Sequence, residues 1–522
     1  MYRFVETNLL TNYTSNIPMR KLIISIVAVF LISGIAVAQK ALPEDLAYKI
    51  KNEGFQRSQI EDLSYWMTDF MGDRLTASQK WERGEILLID KLKALGFSNV
   101  RSEVAADFPR GGWDNHKTYI AMTAPYYAYF FGMPRAWTGS ATVNGEVVLF
   151  NPQTLAELDN FKGKLAGKII LMPSTEQYVM SFAPLTTRHT QATLAELAKD
   201  PRPVAARMRA AGGASMELQQ KMRELIQTEK PAILINNSGN FNVPRSSGVN
   251  YRKGDPEPVA ELMLPIEAYG RMARMLANGV SVSMDIDIQN RFTDNNVVEN
   301  IIAEIPGTDP KLKDEVVFIG GHFDSWHGGT GAADNASGCI VMTEALRIIK
   351  ESGIQPRRTI RLVLWGGEEQ GLLGSRAYVQ NYIYDAQTNQ PKKGYDQFAL
   401  YLNNDLGSGK FRGIFLEEND MAIPFFKEWI KALESMDFKI LSLHRSTGTD
   451  HQSFDRYGLP AYEFIQDALE YYRGYHTPMD TYERLSMTDL KQNAVIAAWL
   501  AISAAMDDNK IPRKPIATPQ GR

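Results

Sequence analysis

Three short apolar runs, each breaking off into a loop that carries acids, constrain this chain more than any other feature. Residues 315–319 (EVVFI) lead into a glycine-rich loop, 320–338, holding His322, Asp324 and Asp334. A helical pattern follows, with Cys339, Met342, Leu346 and Ile349 on one face. Residues 359–365 (TIRLVLW) end in Gly366, Gly367, Glu368 and Glu369, and residues 398–403 (FALYLN) end in Asn404 and Asp405. Such runs read as buried strands of an α/β sheet, and in open α/β sheets chemistry collects where the strands end and the helices begin. The glycines let the backbone pass close to a bound ion or substrate.

Adjacent glutamates at a buried strand end are costly unless something positive compensates them. Asp334, Glu368, Glu369 and Asp405 at one sheet edge would repel one another, and no Lys or Arg lies in these loops. A pair of divalent metal ions is the simplest compensation. Imidazole and carboxylate together suit zinc best, with manganese or cobalt as alternatives.

The rest of the chain bounds the setting. At 522 residues it is too long for one ordinary core and long enough for two domains plus a leader. A net charge of −3, with acids and bases interspersed, leaves no nucleic-acid footprint. The single cysteine, Cys339, excludes an internal disulfide and a CxxC zinc site, and reads as a small buried apolar residue. Arg20 and Lys21 precede an apolar run, 22–32, and Ala36, Val37 and Ala38 supply small residues for cleavage before Gln39. That is the pattern of a Sec-type signal peptide, with an uncleaved anchor as the alternative. Met19 offers a second possible start, and no cysteine follows the apolar run to mark a lipoprotein. The expectation is a secreted or periplasmic protein with no stable membrane association after cleavage.

The pattern divides the chain into a leader at 1–38, a first part of the main domain at 39–124, an insert at 125–285, the acid-bearing part at 286–506 and a loose tail at 507–522. The insert lacks acidic strand ends, and short apolar runs such as 146–150, 168–172 and 231–235 alternate there with turn residues.

Of seven histidines, His322 and His476 are the strong candidates; His476 lies in a loop, 473–480 (RGYHTPMD), beyond the last strand. His451 follows Asp450 and could line the cleft, and His327 reads as solvating the loop. The ordered set of His-x-Asp, Asp-Asn-x-Ser-Gly, Glu-Glu and a late His resembles the co-catalytic di-zinc exopeptidases, which include bacterial aminopeptidases, carboxypeptidase Q and glutamate carboxypeptidase. The subgroup most similar to this chain carries an inserted protease-associated domain. The resemblance implies an α/β fold with a mixed, mostly parallel sheet flanked by helices, and a β-rich insert. It implies two zinc ions per chain, with Asp334 bridging them, His322 and Asp405 completing one, and Glu369 and His476 the other. Glu368 would be the general base acting on a bridging water, and Asp324 would hold the outer nitrogen of His322. Asp450 falls where the family places an acid close to the metals. Asp450, His451, Arg473 and Arg445 are the candidates for touching substrate.

Short peptides are the implied substrates, cut near a free N-terminus as by an aminopeptidase or dipeptidase. The alternatives are a carboxypeptidase of the same family, a glutaminyl cyclase-like transferase, whose pattern lacks the first His ligand, and an inactive binding module. A Ser-His-Asp hydrolase lacks its Gly-x-Ser-x-Gly elbow here. A homodimer is compatible with this reading.

Overall fold

The computed structural model describes residues 42, 44–199, 201 and 216–516. The leader at 1–38 lies outside them. Among the described residues, no helix is long and apolar enough to cross a membrane.

One sheet has the strand order Ser98–Asp107, Val297–Ile305, Thr359–Trp365, Val316–His322, Phe398–Asn403, Ala461–Gln466, Phe411–Phe415, Ile440–Ser442. The four strands from Thr359–Trp365 to Ala461–Gln466 are parallel; Val297–Ile305 and Phe411–Phe415 join them antiparallel, and Ile440–Ser442 pairs parallel with Phe411–Phe415. Val316–His322 is buried at every position, as are Phe398–Asn403 and Ala461–Gln466. The cause is cover on both faces. Val317 and Ile319 pack with Met342, Leu346 and Val495, whereas Val316 and Phe318 pack with Trp365, Tyr378 and Phe454. Successive side chains point to opposite faces, so a strand covered twice must be apolar throughout.

The helices Glu44–Gln56, Ser337–Glu351 and Met487–Met506 cover the first face and pack on one another. Met487–Met506 is apolar nearly all round, the pattern of a helix enclosed by others, and it is buried at almost every residue from Leu490 to Ala505.

Val316–His322 has the next strand in sequence, Thr359–Trp365, on one side and the one after, Phe398–Asn403, on the other. That reversal is the switch point beside which a sheet of this type opens a crevice. The nearby glycines serve mainly the packing of the sheet: a Cβ on Gly320 would lie 2.0 Å from the Val363 carbonyl oxygen, and one on Gly338 2.2 Å from that of Asn404.

A second sheet has the order Ala128–Tyr129, Gly112–Ala124, Ser283–Thr293, Ala141–Leu149, Ile169–Leu171, Ile233–Asn237, Ala260–Leu264, Met133–Pro134. Gly112–Ala124 pairs along its length with Ser283–Thr293. Strand pairing thus carries this sheet to residues 112 and 293, outside the change in sequence character at 125 and 285. Its core of Ile120, Ile169, Ile233, Leu262 and Ile286 is separate from that of the first sheet and contains none of the acid-bearing strand ends. Chelation is therefore expected to leave hydrogen-exchange protection across residues 146–235 unchanged. Strong deprotection there would show that this region depends on bound metal.

The tail is packed, not loose, as far as it is described. Ile511 is buried, Asn419 Nδ2 donates to the Pro512 carbonyl at 2.9 Å, and Lys514 Nζ pairs with Asp455 at 2.5 Å. Asp455 is buried, so a lysine brought in from the tail compensates it. Residues 517–522 lie outside the description.

Candidate metal centre

His322 closes a strand, Asp334 opens the helical segment after the glycine loop, Glu369 follows the next strand, Asp405 follows the third, and His476 comes from the loop beyond the fourth. The fold brings these five together. His322 Nε2 lies 3.2 Å from Asp334 Oδ1 and 3.2 Å from Asp405 Oδ1. His476 Nε2 lies 3.0 Å from Asp334 Oδ2 and 3.0 Å from Glu369 Oε2. Asp334 therefore turns one carboxylate oxygen to each imidazole, at the middle of two triads whose ligand atoms all lie within 4.8 Å of one another.

Charge explains why these residues fit cations. Two like charges about 4 Å apart interact by roughly 4 kcal/mol at an effective dielectric of about 20, so several carboxylates cannot stay ionised here uncompensated. Burial, reinforced by the Asp334 charge and opposed by His476, pushes the Glu369 carboxyl up to about 7. Burial alone would lower His476, but its bonds to Asp334 and Glu369 carry it up to about 10. His322 likewise ends well above its ordinary value, as the charges of Asp405 and Glu368 overcome burial. Without a metal the cluster holds protons where a divalent cation would hold it together. Glu369 Oε1 is also buried without a hydrogen-bond partner. Imidazole and carboxylate in these numbers fit zinc.

The surrounding groups are placed with equal care. Asp324 meets the outer nitrogen of His322 most closely through its backbone: its carbonyl oxygen is 2.9 Å from His322 Nδ1, and its carboxylate Oδ1 is 3.6 Å away. Its carboxylate also accepts the backbone N–H groups of Glu368 and Glu369, each at 3.1 Å, and thereby fixes the Glu-Glu turn. The cause is the turn after Trp365, whose N–H groups would otherwise face a buried carboxylate unpaired. Glu368 belongs to neither triad. Burial raises its carboxyl well above the usual range; Asp405, Asp450 and Glu369 add to this and His322 opposes it.

Asp450 is buried, neither of its oxygens makes a hydrogen bond, and burial pushes its carboxyl up to about 7. His451 is not in either triad. It is buried between two glutamates, with Nε2 3.4 Å from Glu417 and Nδ1 3.9 Å from Glu463. His327 is likewise buried, not solvating its loop, with Nε2 2.8 Å from the Pro134 carbonyl oxygen. Arg445 is engaged by Asp455 and Glu418 at 3.1 and 3.5 Å. Arg473 stands at the rim, 3.5 Å from Glu470.

Three groups escape sequence reasoning. Asp480 accepts the N–H of Ala333 at 2.6 Å and of Asp334 at 3.0 Å, holding the shared carboxylate from behind. Its place four residues after His476 was the available signal. Glu463 accepts the N–H of Asp405 at 3.0 Å from within an apolar strand. Arg74, fully buried, donates to the carbonyls of Phe323, Thr330 and Gly331 and ties the glycine loop down.

Residues 300–501 match the model of peptidase family M28. Bovine (Bos taurus) carboxypeptidase Q is 29% identical over 300 residues, which cover 56% of this chain and 60% of that protein. The match thus spans under two thirds of that relative's length. Among solved structures, a peptidase M28 precursor from Shewanella amazonensis SB2B aligns with a TM-score of 0.65 at 22% identity, covering 90% of this chain and 99% of that one. A zinc aminopeptidase from Bacillus subtilis aligns at 0.52 and 16% identity, covering 90% and 97%. At these identities the structural likeness is one of fold, and that fold is the mixed α/β arrangement described above.

Proposed function

We propose that this protein is an exported zinc metallopeptidase that removes residues from short peptides near a free N-terminus, as an aminopeptidase or dipeptidase. The observation that carries the reading is Asp334, which faces His322 with one oxygen and His476 with the other. His322, Asp334 and Asp405 would hold one zinc ion, and Asp334, Glu369 and His476 a second. When bound, such ions supply Lewis-acid polarisation of the scissile carbonyl and a more acidic water.

The chain's own residues do the rest. Glu368 takes a proton from the attacking water and returns it to the leaving amine, as a carboxylate outside both ligand sets can do. Asp324 holds that carboxylate in place through the N–H of Glu368. Asp480 and Glu463 fix the backbone of Asp334 and Asp405, so neither acid needs to reorganise during turnover. The region read as a protease-associated insert, 125–285, reaches the site through Ser246, whose N–H donates to the His476 carbonyl at 2.7 Å.

The likeness to carboxypeptidase Q favours one second reading, removal of a C-terminal residue. Blocked substrates separate the two. Acetylating the amine of a cleaved dipeptide is expected to abolish hydrolysis, and amidating its carboxyl to be tolerated better. An acetylated peptide cut as fast as the free one would overturn the amine-anchored reading.

A further inference from the structure

Residues 173–186 leave the second sheet after Ile169–Leu171 and run to the neighbourhood of the His476 loop without joining a helix or a strand. Among the described residues, none of their backbone groups bonds to another backbone group. Every one of them is exposed, and the run is apolar where exposure is greatest. Val179 is 80% and Phe182 92% exposed, with Tyr178, Met180 and Leu185 beside them. Apolar side chains gathered in water without cover mark a surface that another molecule meets.

Both ends of the run are fastened. At one end the Met172 N–H donates to the Ile235 carbonyl at 2.9 Å, and the Met172 carbonyl accepts the Tyr269 hydroxyl. At the other, Thr187 and Leu469 exchange backbone bonds at 3.0 and 2.8 Å. The His189 N–H reaches Asp467 at 2.8 Å, and Arg188 pairs with Asp467 and Asp489 at 2.9 and 2.7 Å. A break between these anchors leaves each new end attached. Just before the second anchor, Ala183, Pro184 and Leu185 wall a cavity of about 330 Å3, which Tyr472, Arg473 and Met479, from either side of His476, also line.

We propose that residues 173–186 are a processing site, cut by an endopeptidase with an apolar specificity pocket, and that the cut widens the approach to the His476 loop. A protein that takes up an extended peptide pairs with its main-chain groups, which must therefore be free. A chymotrypsin-like endopeptidase also seats the residue before the bond in a hydrophobic slot. The run supplies the free backbone, and Tyr178 and Phe182 supply the side chain. No Lys or Arg lies between Lys168 and Arg188, which excludes a trypsin-like cutter. Cutting after Phe182 consumes one water: the C–N bond to Ala183 breaks, Phe182 gains a carboxylate and Ala183 an ammonium group. Ala183, Pro184 and Leu185 are then tethered only through Thr187 and swing clear, so peptides longer than dipeptides gain room at the rim. The wider approach rests on the exopeptidase reading above; the cut does not.

The test treats the wild-type holoprotein with a trace of chymotrypsin under native conditions and maps the first cut by mass spectrometry. The cut is expected after Tyr178, Met180, Phe182 or Leu185, with both fragments migrating together in gel filtration and zinc content unchanged. Calorimetry then compares a dipeptide and a tetrapeptide whose scissile amide is reduced to CH2–NH. Nicking should tighten the tetrapeptide at least about tenfold and the dipeptide by no more than about twofold, as when a state that excludes the longer ligand is removed. Tyr178→Ser, Val179→Ser, Met180→Ser, Phe182→Ser and Leu185→Ser together, all at exposed positions, should abolish both the cut and the gain. Phe182→Arg in place of Phe182→Ser in that variant should restore both with trypsin. A first cut elsewhere that leaves 173–186 intact overturns the proposal, as it would if a second copy of the chain covered the run. So do fragments that separate or lose zinc, and equal tetrapeptide binding before and after the cut. A wild type that hydrolyses no unblocked dipeptide yet gains tetrapeptide affinity on nicking would overturn the peptidase reading and leave the processing site standing.

Discussion

Asp334→Asn is expected to strip the protein of at least one zinc ion per chain and to abolish measurable turnover. Each oxygen of Asp334 faces a different imidazole, at 3.2 and 3.0 Å. An amide has one oxygen that can serve as a ligand and an NH2 group that cannot, so one of the two triads loses its third member. The residue is buried, and Asp480 grips its backbone, so it cannot swing to offer the oxygen to both sides. Elemental analysis should show the deficit. The melting temperature should fall as well, since a ligand present at a hundred times its dissociation constant stabilises by about 2.7 kcal/mol. A variant that keeps two tightly bound zinc ions would remove Asp334 from the shared position.

Glu368→Gln is expected to leave metal content unchanged while kcat falls by at least about a hundredfold, the scale of lost general acid–base help. The substitution preserves shape, and the backbone N–H of residue 368 keeps its bond to Asp324, so the turn should hold. What is lost is the ability to accept and return a proton. Because Glu368 lies outside both ligand triads, the loss should show in turnover and not in metal stoichiometry. Wild-type turnover in a metal-replete variant would mean another group, such as the buried Asp450, moves the proton.

The strands that carry the site were legible because burial on both faces leaves an unmistakable imprint: Val316, Val317, Phe318 and Ile319 serve two cores at once. The acids at their ends stood out because nothing nearby in sequence could neutralise them. What stayed hidden depends on contacts distant in sequence. Glu463 is one acid inside an apolar strand, and only strand pairing puts it behind Asp405. Gly112–Ala124 looks like any extended segment until its partner, Ser283–Thr293, is known. The tail's prolines and charges imply looseness, and Lys514 defeats that by finding Asp455.

The enclosed helix Met487–Met506 has a consequence for the order of events during synthesis. It is translated after every strand it covers, yet it packs against Ser337–Glu351 and against Glu44–Gln56, which is made at the start. A growing polypeptide that has already completed the strand ending at His322 still lacks part of the cover for one face of it. Until that helix is made, Val317, Ile319 and their neighbours have the cover of Ser337–Glu351 but lack that of Val495 and the residues around it. Closure must therefore wait for contacts between distant parts of the chain, the kind that form slowly. Full cover of the first sheet thus waits for Met487–Met506, and the metal ligands, spread from His322 to His476, sit on the strands that this helix helps to cover.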